Sequence, residues 1–217
     1  MNNRFVLILA ACVVAFFGVL FFTKKDNSSN GPTSGQLSNH TVGKGSTGVV
    51  LVEYGDFECS ACYQYYPIIK QIKEKYNDQI TFQFKHLPLF QIQSHENALL
   101  AAKAAEAAGL QGKFWEMHDS LYENQPTWGE VSDAQPLFEQ YASQLGLDVE
   151  RFKVDMKGEE VNGIVQADLE EAKSLKFNST PTFVLDGKKL EDSRNTVEYF
   201  TEQIDKAIAE KQKSGQQ

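Results

Sequence analysis

Polar and apolar positions divide the chain into stretches of distinct character. Phe5 to Phe22 (FVLILAACVVAFFGVLFF) runs without a charge. As a helix it spans about 27 Å, close to the hydrocarbon thickness of a bilayer. Residues 24–47 hold almost no large apolar side chains and are rich in Ser, Gly and Asn, the composition of a flexible tether. From Val49 the pattern becomes that of a folded domain. Val49–Tyr54 is a β-branched, apolar run read as a buried strand. A helix is predicted to start near Cys59, with Tyr63, Tyr66, Ile69 and Ile72 at helical spacing as far as Tyr76. Ile80–His86 alternates like a second strand, so the segment forms a β-α-β unit.

Residues 94–177 read as helix. Ser94–Ala108 is alanine-rich and stops at Gly109, while Phe114, Trp115, His118, Leu121 and Tyr122 recur at helical intervals. Phe138, Tyr141 and Leu145 do the same, and Val161 to Leu175 carries a long amphipathic stripe. Strand character returns at Thr182–Leu185. Asp186-Gly187 then predicts a tight hairpin turn into Lys188–Leu190. A last helix carries Val197, Phe200, Ile204 and Ile208. The boundaries are thus an anchor over 1–23, a linker over 24–47, and one domain over 48–213 with a helical insertion at about 94–177.

The anchor is read as uncleaved. The apolar run ends in Phe21-Phe22-Thr23-Lys24-Lys25 without a small-residue cleavage site. Leu9-Ala10-Ala11-Cys12 resembles a lipoprotein acylation box, but ten uncharged residues follow it, so Cys12 is read as a passive member of the spanning helix. Arg4 before the span and Lys24 and Lys25 after it leave the orientation nearly undetermined. Gly43-Lys44-Gly45-Ser46 is not a phosphate-binding loop, because a glycine interrupts Gly-Lys-Ser and a strand follows instead of a helix.

Charge and cysteine content narrow the function. The chain has a net charge of −8, and Arg4 is the sole charged residue among the first 23. An acidic domain without a basic block disfavours nucleic acid and anionic lipid head groups as partners. Outside the anchor only Cys59 and Cys62 remain. So short a loop is a poor staple, and two cysteines cannot complete a structural zinc site. Redox chemistry at the pair, or coincidence, is left.

Val52-Glu53-Tyr54-Gly55-Asp56-Phe57-Glu58-Cys59-Ser60-Ala61-Cys62 resembles the active-site segment of the DsbA-like thioredoxin-fold thiol–disulfide oxidoreductases, in particular their membrane-tethered, BdbD-like branch. Lys85-His86-Leu87-Pro88-Leu89, Gln111–His118 and Ser179-Thr180-Pro181-Thr182-Phe183 match in the same order, and the resemblance covers about residues 42–210. It implies an α/β thioredoxin-like fold with an inserted helical domain. It also implies that the redox disulfide Cys59–Cys62 serves without any further cofactor.

A thiolate is the nucleophile in disulfide exchange, so one cysteine must have a lowered pKa. Placing Cys59 at a helix N-terminus favours its anion, and Cys62, one turn on, is positioned to resolve a mixed disulfide. Ser60-Ala61 lacks the Pro-His of the strongly oxidising relatives, and Asp56 and Glu58 place negative charge nearby, which opposes ionisation. A milder oxidant is expected. By resemblance, Thr180-Pro181 is the cis-proline element whose Thr180 backbone pairs with substrate, whereas Thr-Pro alone reads as an ordinary strand start. Glu53 occupies the place of a buried acid that takes the Cys62 proton. Lys85 is either its ionic partner or a solvated strand-edge lysine. His40 falls in the linker, His86 and His95 flank the loop after the second strand, and His118 reads as a packed core histidine. No metal-ligand spacing is found.

These readings predict an enzyme that introduces disulfides into reduced or unfolded exported proteins. It would be a monomer, anchored by a single span with the catalytic domain on the extracytoplasmic side, and reoxidised by a membrane quinone-linked thiol oxidase. The alternatives are a reductase or isomerase with the same chemistry, or a non-catalytic chaperone or metal-binding module.

Overall fold

The computed structural model describes residues 35–191 and 194–214. The predicted anchor, Cys12 and residues 24–34 of the linker lie outside them. No helix among the described residues is long and apolar enough to cross a membrane.

The strands are β1 (His40–Val42), β2 (Val49–Gly55), β3 (Ile80–His86), β4 (Thr182–Leu185) and β5 (Lys188–Lys189). They form one mixed sheet in the order β1-β3-β2-β4-β5. β2 and β3 are parallel, which requires a crossover, and helix α1 (Ser60–Lys75) supplies it. β4 runs antiparallel to β2, and β5 antiparallel to β4. The Asp186-Gly187 turn has φ of 49° and 77°, the left-handed pair that a two-residue hairpin needs.

Side-chain alternation gives the sheet two different faces. Val49, Leu51, Phe82, Phe84, Phe183 and Leu185 point to one core, shared with α1 and with α8 (Val197–Ser214) through Ile69, Ile72, Phe200, Ile204 and Ile208. Several of these rings are completely buried, each contributing roughly 1.5–3 kcal/mol. Tyr54, Val52, Val184 and Leu87 point the other way, toward α7 (Glu159–Ser174) through Leu169 and Ala172.

Between β3 and β4 stand α2 (Ala98–Gly109), α3 (Phe114–Glu123), α4 (Gln125–Trp128), α5 (Gln135–Gln144), α6 (Val149–Asp155) and α7, so the chain has the predicted helical insertion. The alanines of α2 are buried on several sides and let α3, α5, α6 and α7 pack close around it. Trp128, Phe138, Phe152 and Met156 fill the remaining space. Residues 94–97, read as the start of α2, are instead a loop. The His95 ring bonds Asp56 and the Asn97 N–H bonds Glu58, beside Cys59.

One boundary is corrected. His40–Val42, inside the predicted flexible linker, is strand β1, paired antiparallel with β3 in the register His40 to Phe84 and Val42 to Phe82. Upstream of it, the Ser38 N–H donates to buried Asp168 at 3.0 Å. The Lys44 and Thr47 N–H groups bond the carbonyls of Asn77 and Gln79. The free edge of β3 supplies the partners for β1. A polar stretch with one large apolar residue therefore becomes a strand that its own pattern does not announce.

Candidate active site

Cys59 is the N-cap residue of α1, in extended conformation, and no side chain caps the helix there. The hydrogen bond from the Cys62 thiol is the main cause that brings the Cys59 pKa down to about 5. Burial opposes this, and the proximity of Thr180 and of the Cys62 and Ala61 N–H groups assists it. When protonated, Cys59 Sγ donates to the Thr180 carbonyl at 3.4 Å. Thr180-Pro181 is a cis peptide facing the cysteine. Cys62 is wholly buried, and desolvation, followed by the proximity of Cys59, drives its pKa well up. Both cysteines are free thiols. The pair thus consists of one stabilised thiolate and one masked thiol. Ser60 is exposed, and Ala61 contributes its N–H.

Asp56 and Glu58 do not oppose this as their charges suggest. Asp56 is 1 % exposed, with its carboxylate spread over the Glu58 N–H (2.8 Å), the Leu89 N–H (2.9 Å) and His95 Nδ1 (2.6 Å). The Asp56 hydrogen bond raises the His95 pKa. Glu58 accepts the Asn97 N–H at 2.7 Å, and burial raises its own pKa. Both carboxylates tie the 89–97 loop to the redox turn, and hydrogen bonding to Cys59 outweighs them.

Glu53 lies on β2, 3 % exposed, and desolvation pushes its pKa up to about 8, with the charge of Lys73 pulling it down and that of Cys59 pushing it up. It is therefore protonated at neutral pH. Lys85 is not its partner. In the β2–β3 register Glu53 stands opposite Phe84, while Lys85 stands opposite Tyr54 and so points to the other face of the sheet. There its Nζ meets Glu171 at 2.6 Å and Asp168 at 3.8 Å. The cation that acts on Glu53 is Lys73 of α1, buried enough to lower its own pKa, 3.9 Å from Asp119 and over the Trp115 ring.

The Thioredoxin family model matches residues 36–206 of the chain. The chain belongs to the thioredoxin family. Among solved structures its fold resembles oxidised BdbD from Bacillus subtilis (TM-score 0.68, 24 % identity, 83 % of this chain and all of that one). It also resembles α-DsbA1 from Wolbachia pipientis (0.68, 20 %, 82 % and 94 %) and DsbA2 from Pseudomonas aeruginosa (0.60, 24 %, 78 % and 96 %). A curated relative from Mycolicibacterium vanbaalenii, named Na(+)/H(+) antiporter NhaA 1, is 36 % identical over 193 residues, 83 % of this chain and 30 % of that protein. Its namesake from Salinispora arenicola is 36 % identical over 171 residues, 79 % and 25 %. The chain spans only about a quarter to a third of the length of these relatives.

Two residues of this thioredoxin-family site carried no expectation from sequence. Lys73 has a signal in hindsight, since it continues the buried stripe Cys62, Tyr66, Ile69 at helical spacing. Gln125 has none. It lies in the insertion, 66 positions from Cys59, and its Nε2 donates to the carbonyls of Phe57 (2.7 Å) and Cys59 (3.0 Å). His118 is the buried core histidine predicted, paired with Asp119 at 2.9 Å, and desolvation takes its pKa down to about 4.

Among the described residues, one trio brings possible metal donors together: His40, His86 and Glu106, from β1, β3 and α2. Such a set has no spacing to read in the sequence. Both imidazole Nε2 atoms lie within hydrogen-bond distance of the same Glu106 oxygen, at 2.7 and 2.6 Å, which joins the three side chains in a seam between β1 and the insertion.

Proposed function

We propose that the protein is a thiol–disulfide oxidoreductase acting as an oxidase toward exported proteins. The carrying observation is the asymmetry of the pair: Cys59 is held as a thiolate near pKa 5, and Cys62 is buried and protonated. Stabilising the thiolate stabilises the reduced form, which makes the oxidised pair an electron acceptor. A substrate thiolate attacks Cys59 Sγ of the Cys59–Cys62 disulfide, the S–S bond breaks, and Cys62 leaves with the electron pair and takes up a proton. A second substrate thiolate then attacks the substrate sulfur of the mixed disulfide, and Cys59 departs as the thiolate. The substrate has lost two electrons to the pair. In the reverse direction, Cys59 in the mixed disulfide carries no charge to raise the Glu53 pKa, and the ionised form of Glu53 receives the Cys62 proton as that thiol becomes the attacking group.

Unfolded chains suit the surroundings. Phe90 and Ile92 stay exposed on the loop tied to Asp56 and Glu58, as does Val131, whose carbonyl bonds Asn97. The Thr180 backbone faces the sulfur, where an extended peptide would pair. The missing Pro-His places the protein below the strongest oxidants of the family. Anchorage through residues 1–23, an extracytoplasmic site, a monomeric state and reoxidation by a quinone-linked membrane thiol oxidase complete the proposal. They rest on the apolar first segment and on the redox state of compartments.

Titration of the purified protein against glutathione should give a reversible two-electron equilibrium lost in Cys59→Ser, and Cys62→Ser should accumulate mixed disulfides with exported substrates. An inert pair, or activity retained in Cys59→Ser, overturns the proposal.

A further inference from the structure

We propose that Gln125 is a positioning residue of the redox site, by which the helical insertion sets the reactivity of Cys59; this rests on the oxidoreductase reading above. The geometry is specific. The Gln125 side chain is buried, and its Nε2 donates to both carbonyls that bracket Glu58, those of Phe57 and Cys59. An amide NH₂ group has two hydrogens, and both are used here. The flipped amide would face two oxygens with a third, so one orientation alone fits.

The Cys59 carbonyl has a second task. It accepts the Tyr63 N–H at 3.0 Å, the first rung of α1. Fixing that carbonyl fixes ψ of Cys59, 122° here. The same ψ sets where the sulfur stands relative to the N–H groups of Ala61 and Cys62, which lower its pKa. Donation to a carbonyl also polarises the peptide unit and strengthens its own N–H as a donor at the helix mouth. Elsewhere the turn is held by the Cys59 N–H to the Asp56 carbonyl (3.2 Å), by the Asp56 carboxylate to the Glu58 N–H (2.8 Å) and by the 89–97 loop on the two carboxylates, so that Gln125 is what grips its backbone carbonyls. Helix α4, which carries Gln125, is itself pinned by the Trp128 indole N–H to the Leu121 carbonyl at 2.7 Å.

Gln125→Met keeps the length and removes both donors. In the full chain, the Cys59 ionisation constant, followed by thiolate absorbance and by iodoacetamide reactivity against pH, should fall about tenfold. The glutathione equilibrium should move about tenfold toward the disulfide form, ~30 mV for two electrons. Phe152→Leu, in the core of the insertion on α6 and outside α4, should lower the melting temperature without moving either readout. Should Gln125→Met not fold, Gln125→Asn, one methylene short, should give a smaller shift of the same sign. Unchanged ionisation and equilibrium in the folded variant, or an equal shift in Phe152→Leu, overturns the proposal. Failure of the wild type to cycle with glutathione would instead strike the oxidoreductase reading, while the alkylation profiles would still test Gln125.

Discussion

Glu53 beneath the cysteine pair and Glu106 in the insertion are both almost wholly buried, yet their pKa values are pushed apart, to about 8 and about 2. Desolvation is the largest influence on each and raises both. At Glu106 two histidines overcome it, because His40 and His86 each bring a ring nitrogen to the same carboxylate oxygen. At Glu53 the counterweight is the distant charge of Lys73, and the Cys59 thiolate pushes the other way. One glutamate is partnered so that its charge persists, and it joins β1 to α2. The other has no such pair of partners, which suits the proton exchange proposed for it.

Removing Glu106 tests the partnered side and should have the largest effect. Glu106→Leu strands two imidazole donors and should cost about 3 kcal/mol in urea unfolding, with little change in Cys59 reactivity; a smaller loss would mean that water replaces the carboxylate. Its native pKa lies below the unfolded value of about 4.5, so its contribution is present above that pH and is lost as pH falls toward 2.

Glu53→Gln should reverse that outcome. Stability at neutral pH should hold or rise, while resolution of a mixed disulfide by Cys62, followed by stopped flow, slows about a hundredfold. An unchanged rate would show that the proton leaves by another route. In the native reduced protein Glu53 keeps a proton that the unfolded chain has released, so its contribution is present below about pH 4.5 and lost as pH rises toward 8. The stability of Glu53→Gln relative to wild type should therefore climb over that window.

The smallest effect separates the two lysines. Lys73→Met removes the charge that lowers the Glu53 pKa and should move the pH midpoint of Cys62 resolution upward by less than one unit. Lys85→Met should leave that midpoint in place, because its side chain lies across the sheet with Glu171 and Asp168. Equal shifts in both variants would mean that the field of the whole domain, and not a specific neighbour, tunes Glu53.

Much of the framework was legible without coordinates. The runs 49–54 and 80–86, the stripe from Tyr66 to Ile72 and the Asp186-Gly187 turn each declare themselves by periodicity or turn chemistry, and the insertion declares itself by the helical stretch that separates the two halves. The Cys59–Cys62 pair was legible by elimination. Where the reading failed, the missing quantity was a partner. β1 is polar, and only the open edge of β3 makes it a strand. The sequence leaves Lys85 between a partner of Glu53 and a solvated strand-edge lysine, because position in sequence does not reveal face, and a one-residue step in register moves a side chain through the sheet. Asp56 and Glu58 were counted as charges, whereas the fold uses them as acceptors for the 89–97 loop.

Local pattern thus determined the elements, their order and the two sulfurs, because those depend on neighbours a few residues apart. Tertiary structure alone decided which of two buried glutamates stays charged, which lysine acts on Glu53, and that Gln125 grips the redox turn from 66 residues away. Each of these depends on desolvation and on hydrogen-bond partners from other elements, and neither exists until the chain has folded.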